Sequence, residues 1–331
     1  MERSGLAELS PLDQANMAAR SAVFRGVKLG AEFAGTRPLR HQLHTDASAA
    51  PTGAKTIYLL RHGQGVHNVW RHAEQAAGRT PTAKRHNRAS VPEALHDPQL
   101  TPQGLADAAA AADVARQLPP PELCVTSPMR RTASTLLVAF ADAIAAGAPV
   151  VAHELCREAF HGSDPSLYDS RRGRAELAAA FPQVDFLSHV LPPEPPVIDG
   201  GDPVDDPLWW HCASPYGGDG GCVDEAMIGE HAYRFLCWLM ARPEGVVAVA
   251  SHANFLLALH HACLDGCPDA PQVFHTGELR AIAISQSSAP SGVRRAAAGL
   301  SPGSQWAAQL TPVALLPEVA ATPSTLSALG R

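Results

Sequence analysis

The sequence predicts an α/β fold: a mostly parallel central sheet flanked by helices, with a long lid or rim segment inserted. Three observations carry that prediction. Short apolar runs at 56–60, 123–126, 150–155 and 245–250 stop abruptly at polar residues, as buried strands do. Helical stretches with recognisable caps or buried faces lie between and after those runs, the alternation that builds a parallel sheet. At 331 residues and 46% hydrophobic content, the chain can also bury a sizeable core.

Composition narrows the partners. A net charge of -6 argues against a nucleic-acid or anionic-membrane surface as the main partner, whereas a local basic pocket for a small anionic substrate is compatible with it. Seven cysteines at 124, 156, 212, 222, 237, 263 and 267 are odd in number and scattered, so no disulfide framework is expected and a reducing compartment is the default. No apolar run approaches the roughly 18 to 20 residues of a membrane span. A cytoplasmic protein is expected, with organellar targeting disfavoured by the acidic Glu2, Glu8, Asp13 and Glu32 near the N-terminus.

Residues 1–54 mix Ala, Ser, Arg and Pro and end in a Gly/Pro-containing link. They read as an N-terminal extension, partly flexible, with helix packing against the domain for some of it. Residues 55–290 form the expected catalytic domain and 291–331 an appended tail.

The first strand runs from Thr56 to Leu60 and ends in Arg61-His62-Gly63-Gln64-Gly65-Val66-His67-Asn68. In an open parallel sheet the ligand crevice lies beyond the carboxyl ends of the strands, so Arg61 and His62 face a substrate. An imidazole attacks phosphorus when one nitrogen is free and the other fixes the tautomer. The Arg61 guanidinium fits phosphate oxygens, and Gly63 and Gly65 would let backbone amides approach an anion. Residues 69–95 are basic and His-rich and read as a solvated loop at the pocket rim.

Thr101 as N-cap and Pro102 at the first helical position open a helix that Pro119-Pro120-Pro121 stops. Leu123 to Ser127 is the second strand, followed by Pro128, Arg130, Arg131 and a helix over about 132–145. Arginines at a helix N-terminus oppose the macrodipole unless an anion offsets them, which makes this an expected anion site. The third strand, 150–155, leads into Arg157-Glu158. There a carboxyl in the crevice could protonate a leaving alkoxide, although a plain surface ion pair explains the same residues. Arg171 and Arg172 are candidate contacts to a distal anionic group, or simply helix surface. The Pro-, Gly- and Asp-rich stretch 192–222, interrupted by Leu208-Trp209-Trp210, reads as the lid or rim. A helix over about 223–241 leads to the fourth strand, 245–250, which ends in Ser251-His252-Ala253-Asn254-Phe255-Leu256 and repeats the arrangement at His62. His260-His261-x-Cys263-x-x-x-Cys267 has no matching ligand pair elsewhere, so zinc is not expected. Residues 274–285 supply a last strand.

The segments Arg61-His62-Gly63 with Asn68, Asp97-Pro-x-Leu-Thr-x-x-Gly104, Ser127-Pro-x-x-Arg131-x-x-x-Thr135 and Ser251-His252-x-x-Phe-Leu, in this order, resemble the histidine phosphatase superfamily, also called phosphoglycerate mutase-like. Glu154-Leu-Cys-Arg-Glu158, Asp169-x-Arg-Arg172 and Phe181-Pro-x-Val-Asp-Phe186 resemble its plant, algal and fungal branch. The resemblance implies a phosphoglycerate mutase-like fold and His62 as a nucleophile that becomes phosphohistidine. It implies that Arg61, Arg131, His252 and Asn68 hold the phosphoryl oxygens, with His252 as second catalytic histidine and Glu158 as proton donor. Gln64, Arg171 and Arg172 would be rim contacts. A metal or other cofactor is not implied, since two arginines and a protonated histidine would supply the positive charge. The family's mutases carry Glu-Ser-x-Trp after Arg-His-Gly, where this chain has Gln64, Gly65 and His67. That difference favours a phosphomonoesterase for a small phosphorylated metabolite. The alternatives are a mutase or bisphosphatase, and a phosphate sensor or scaffold without turnover.

Overall fold

The computed structural model describes residues 11–26, 41–45, 50–81, 83, 90–158, 166–190, 225–269 and 272–286. Its strands are β1 (His41–His44), β2 (Lys55–Arg61), β3 (Leu123–Thr126), β4 (Val150–Ala152), β5 (Val246–Ser251), β6 (Leu264–Asp265) and β7 (Leu279–Gln286). They form one mixed sheet in the order β4-β3-β5-β2-β7-β1-β6. The β4/β3, β3/β5, β5/β2 and β1/β6 pairs are parallel, and β7 is antiparallel to both β2 and β1. The helices are α1 (Pro11–Gly26), α2 (Val66–Ala76), α3 (Pro102–Ala115), α4 (Arg130–Ala139), α5 (Ala141–Ala145), α6 (Arg174–Ala180), α7 (Glu225–Ala241) and α8 (Ala253–Ala258).

The strands are apolar throughout because both sheet faces are covered. Successive side chains alternate between the faces, so Ile57, Leu59, Val125, Val247 and Val249 pack with Phe235, Leu236, Phe255 and Phe24 from α7, α8 and α1. Tyr58, Leu60, Cys124, Ala248 and Ala250 pack on the other side with Ala111 of α3 and Ala133 and Leu136 of α4. Register then aligns the strand ends: Arg61 lies opposite Ser251, and Thr126 opposite Ala250. The residues that follow these three strands therefore converge on one edge of the sheet.

Four boundaries differ from the sequence reading. The loop expected over 69–95 begins as helix, since α2 runs through Ala76. Part of the stretch 1–54 belongs to the fold: β1 pairs with β7 and β6, and α1 puts Phe24 and Met17 into the core. Its strand, His-Gln-Leu-His, is too short and polar to be read as buried. The third strand stops at Ala152 and a tight turn, Glu154–Cys156, replaces its end. The helix expected over 132–145 begins at Arg130 and breaks at Phe140. The lid or rim reading for 192–222, with Trp209 and Trp210, lies outside the described residues, as does the tail expected over 291–331.

Candidate active site

At the end of β2 the backbone of His62 donates to the Ser251 carbonyl at 3.0 Å, which holds the ring over the β2/β5 junction. Its Nδ1 lies 2.7 Å from the Gly63 carbonyl, an oxygen that can only accept, so Nδ1 carries the proton and Nε2 keeps its lone pair. His62 and His252 are buried with ring centroids 5.1 Å apart in an edge-on arrangement. Burial first, then Arg131 and Arg61, hold the His62 pKa well below its ordinary value. The ring is therefore neutral around pH 7, as a nucleophile must be. Arg61, also buried, donates from Nη1 to the Phe274 carbonyl at 2.7 Å, which fixes the guanidinium beside the ring.

His252 ends β5 and N-caps α8. Its Nδ1 is 3.2 Å from Arg131 Nη2 and its Nε2 2.8 Å from Ser127 Oγ. A guanidinium only donates, so Nδ1 accepts and the Nε2 proton goes to Ser127. Burial, and next the charge of Arg131, push the His252 pKa well below its ordinary value. The expectation of a protonated second histidine is corrected accordingly: His252 is neutral, and the positive charge comes from Arg61 and Arg131. Arg131 is almost fully enclosed; Nη1 donates to the Tyr168 carbonyl and Nη2 to Asp169 Oδ1 at 3.0 Å.

Asp169 is a residue the sequence reading quoted within Asp169-x-Arg-Arg172 but gave no role. Burial raises its pKa to about 6, Arg131 opposes that rise, and the charge of Glu158 adds to it. Glu158 itself is half-buried and close enough to Asp169 for that repulsion. The crevice thus holds two carboxyl groups, not one. The signal that could have found Asp169 is its place one residue before Ser170-Arg171-Arg172, but sequence alone does not say which way that turn faces.

The glycine-turn amides are not offered to an anion, which corrects the reading of Gly63 and Gly65. Gly63 N donates to Thr135 Oγ1, Gln64 N to Asp107 Oδ2, Gly65 N to Asn68 Oδ1 and Val66 N to the Gln99 carbonyl. The glycines serve close packing instead: a Cβ on Gly63 would sit 2.3 Å from the Gly104 carbonyl oxygen. The first amide of α4 is likewise taken, since Arg130 N donates to the buried Asp97 carboxylate. Gln64 turns its side-chain oxygen to the Thr101 hydroxyl at 2.8 Å, away from the rim role. Arg171 is buried against Glu154 at 3.1 Å, and Arg172 pairs with Glu93, so neither faces the crevice as a free cation. Asn68 spends its oxygen on Gly65 and keeps its amide nitrogen as donor. Among the described residues, no group of three or more His, Cys, Asp or Glu is arranged to hold a metal ion. The His260 ring bonds the Leu256 carbonyl and His261 accepts from Gln272 N.

Residues 57–182 match the model of the histidine phosphatase superfamily, branch 1. A phosphoglycerate mutase-like protein of Arabidopsis thaliana is 29% identical over 246 residues, covering 65% of this chain and 77% of the relative. Phosphoglycerate mutase-like protein 1 of the same plant is 26% identical over 266 residues, covering 70% and 81%. Among solved structures, the ecdysone phosphate phosphatase of Bombix mori in complex with tungstate is similar over 75% of this chain and 98% of that one, at 14% identity and a TM-score of 0.41.

Proposed function

The chain belongs to the histidine phosphatase superfamily, and from that premise we propose that it is a phosphomonoesterase acting through a phosphohistidine on a small phosphorylated metabolite. One observation carries the reading: the His62 ring is buried, neutral and proton-bearing at Nδ1, with Nε2 left as the nucleophile beside two arginines. His62 Nε2 attacks phosphorus in line, a P–N bond forms and the P–O ester bond breaks. Glu158 gives its proton to the departing alkoxide. Water, deprotonated by Glu158, then attacks the phosphohistidine; the P–N bond breaks and inorganic phosphate leaves. Arg61 and Arg131 hold charge against the equatorial oxygens, with the Asn68 amide as a further donor, and Arg131 fixes the His252 tautomer.

Purified protein is expected to release phosphate from an aryl phosphate in the presence of chelator, and His62→Ala to lose at least about a thousandfold of that turnover, the scale seen when a nucleophile is removed. Chelator-sensitive turnover, or equal turnover by His62→Ala, would sink the reading. The names of the plant relatives favour a second reading, a mutase or bisphosphatase. In that case the phosphoryl group would appear on an added phosphorylated sugar acid rather than in water.

A further inference from the structure

Three imidazoles meet in the crevice, and only two of them are accounted for. His67, on the first turn of α2, stacks on Tyr168 at 5.3 Å and lies 5.7 Å from the His62 ring. It is 4% exposed, yet its Nδ1 is buried without a hydrogen-bond partner among the described residues. His62 anchors one nitrogen on Gly63, and His252 engages both of its nitrogens. His67 alone is held by ring contacts only. Its seat is specific: a Cβ on Gly65 would lie 2.7 Å from His67 Nδ1 and 2.8 Å from Cε1, so the ring can occupy this place only because residue 65 is glycine.

A buried imidazole nitrogen left unbonded is destabilising, so such a group is retained where a ligand completes it. The groups around it are cationic or neutral: Arg131, His62, Arg71 and Arg61 all disfavour its protonation, after burial itself. An incoming dianion reverses both terms, because it supplies acceptor oxygens and the opposite charge. We propose that His67 is a third imidazole of the phosphoryl pocket, donating an N–H to a non-bridging oxygen of the group that His62 receives. This rests on the phosphatase reading and deepens it by adding a substrate contact. The contact requires Gly65, since a Cβ there would displace the His67 ring. The neutral ring is expected to take up a proton when phosphate binds.

The experiment uses the full chain and inorganic phosphate or orthovanadate. Nitrogen-15 spectra of the imidazoles are recorded during phosphate titration, and affinities are measured for wild type, His67→Gln and His67→Phe. His67 resonances are expected to shift with those of His62. His67→Gln, which keeps a donor, should bind within about threefold of wild type, and His67→Phe, which keeps only the stacking, roughly tenfold or more weaker. Thermal unfolding confirms that each variant is folded, and the spectra of wild type need no variant at all. His67 signals that stay fixed while those of His62 move, or undiminished binding by folded His67→Phe, would overturn the proposal and leave the phosphatase reading standing. Failure of wild type to bind either anion would overturn both.

Discussion

A buried hydrogen-bond chain runs behind the candidate nucleophile, and its members are small side chains. Gly63 N donates to Thr135 Oγ1, which in turn donates to the Arg131 carbonyl, so one hydroxyl ties the glycine turn to α4. Thr135→Val keeps the volume but leaves the Gly63 amide unsatisfied, and should cost about 1–3 kcal/mol in denaturant unfolding. Ser127 completes the ring of His252. Arg131 donates to Nδ1 and so fixes the tautomer, and the Ser127 Oγ accepts the remaining Nε2 proton. Ser127→Ala leaves that buried N–H without its acceptor and should cost about 1–3 kcal/mol in denaturant unfolding, whereas Ser127→Thr, which keeps the hydroxyl, should cost less. Equal stabilities of wild type and Ser127→Ala would show that the hydroxyl does not hold the ring. Two of these residues lay within the resembled Ser-Pro-x-x-Arg-x-x-x-Thr segment. Their roles were nonetheless illegible, because a motif names residues and not the direction in which a hydroxyl donates. His67 and Asp169 were missed for a related reason: each faces the crevice by virtue of a turn whose orientation depends on contacts far along the chain.

At the scale of elements, α3 shows how a legible feature can conceal a second role. Thr101 caps it as the sequence indicates, accepting from Gly104 N at 3.0 Å, and that much was explained as a well-capped helix. The same turn also presses against the glycine turn after β2. Thr101 N donates to the Gln64 carbonyl at 2.9 Å, Gly65 and Leu100 form an isolated bridge, and a Cβ on Gly104 would lie 2.1 Å from the Gln64 carbonyl oxygen. Gly104→Ala sets two effects against each other. Helix propensity favours alanine by about 1 kcal/mol, whereas forcing a methyl into backbone typically costs about 1–3 kcal/mol and here has no flexible side chain to push aside. The clash should win. Gly104→Ala is expected to be less stable than wild type in denaturant unfolding and to bind phosphate more weakly, because the displaced turn carries His62. Thr101→Ala, which removes only a cap and one side-chain bond, should cost about 1 kcal/mol. A stabilised Gly104→Ala would mean that α3 is free to move. The four parallel-sheet strands were legible because their apolar runs are continuous, and helix packing from the N-terminal stretch was expected; β1 was not, since a four-residue polar strand carries little local pattern.

The molecule as a whole buries histidines in number, and that should govern how it responds to acid. Burial holds His153 at about 3 and His231 and His260 at about 4. His62, His67 and His252 are lowered well below their ordinary value, by burial first and Arg131 next. In the unfolded chain each of the six titrates near 6.5. Between about pH 6.5 and 4 the unfolded chain therefore binds more protons than the native one, and each histidine withdraws stability at up to about 1.4 kcal/mol per pH unit as the pH falls. Two buried carboxyls work the other way. Asp169, raised to about 6, binds its proton in the native state first and so gains stability as the pH falls through that range, and burial raises Asp97 in the same direction. Six groups outweigh two, and the balance is a loss. The guanidinium midpoint should be nearly flat above pH 7 and drop steeply between pH 6.5 and 4.5. In Asp169→Asn the drop should be steeper still, because one opposing proton is gone. Saturating phosphate should blunt the drop in wild type, since an anion in the crevice favours the charged form of the nearest imidazoles. A midpoint that holds or rises on acidification would mean that water reaches these histidines and that the crevice is not the dry, neutral-imidazole pocket on which the proposed chemistry depends.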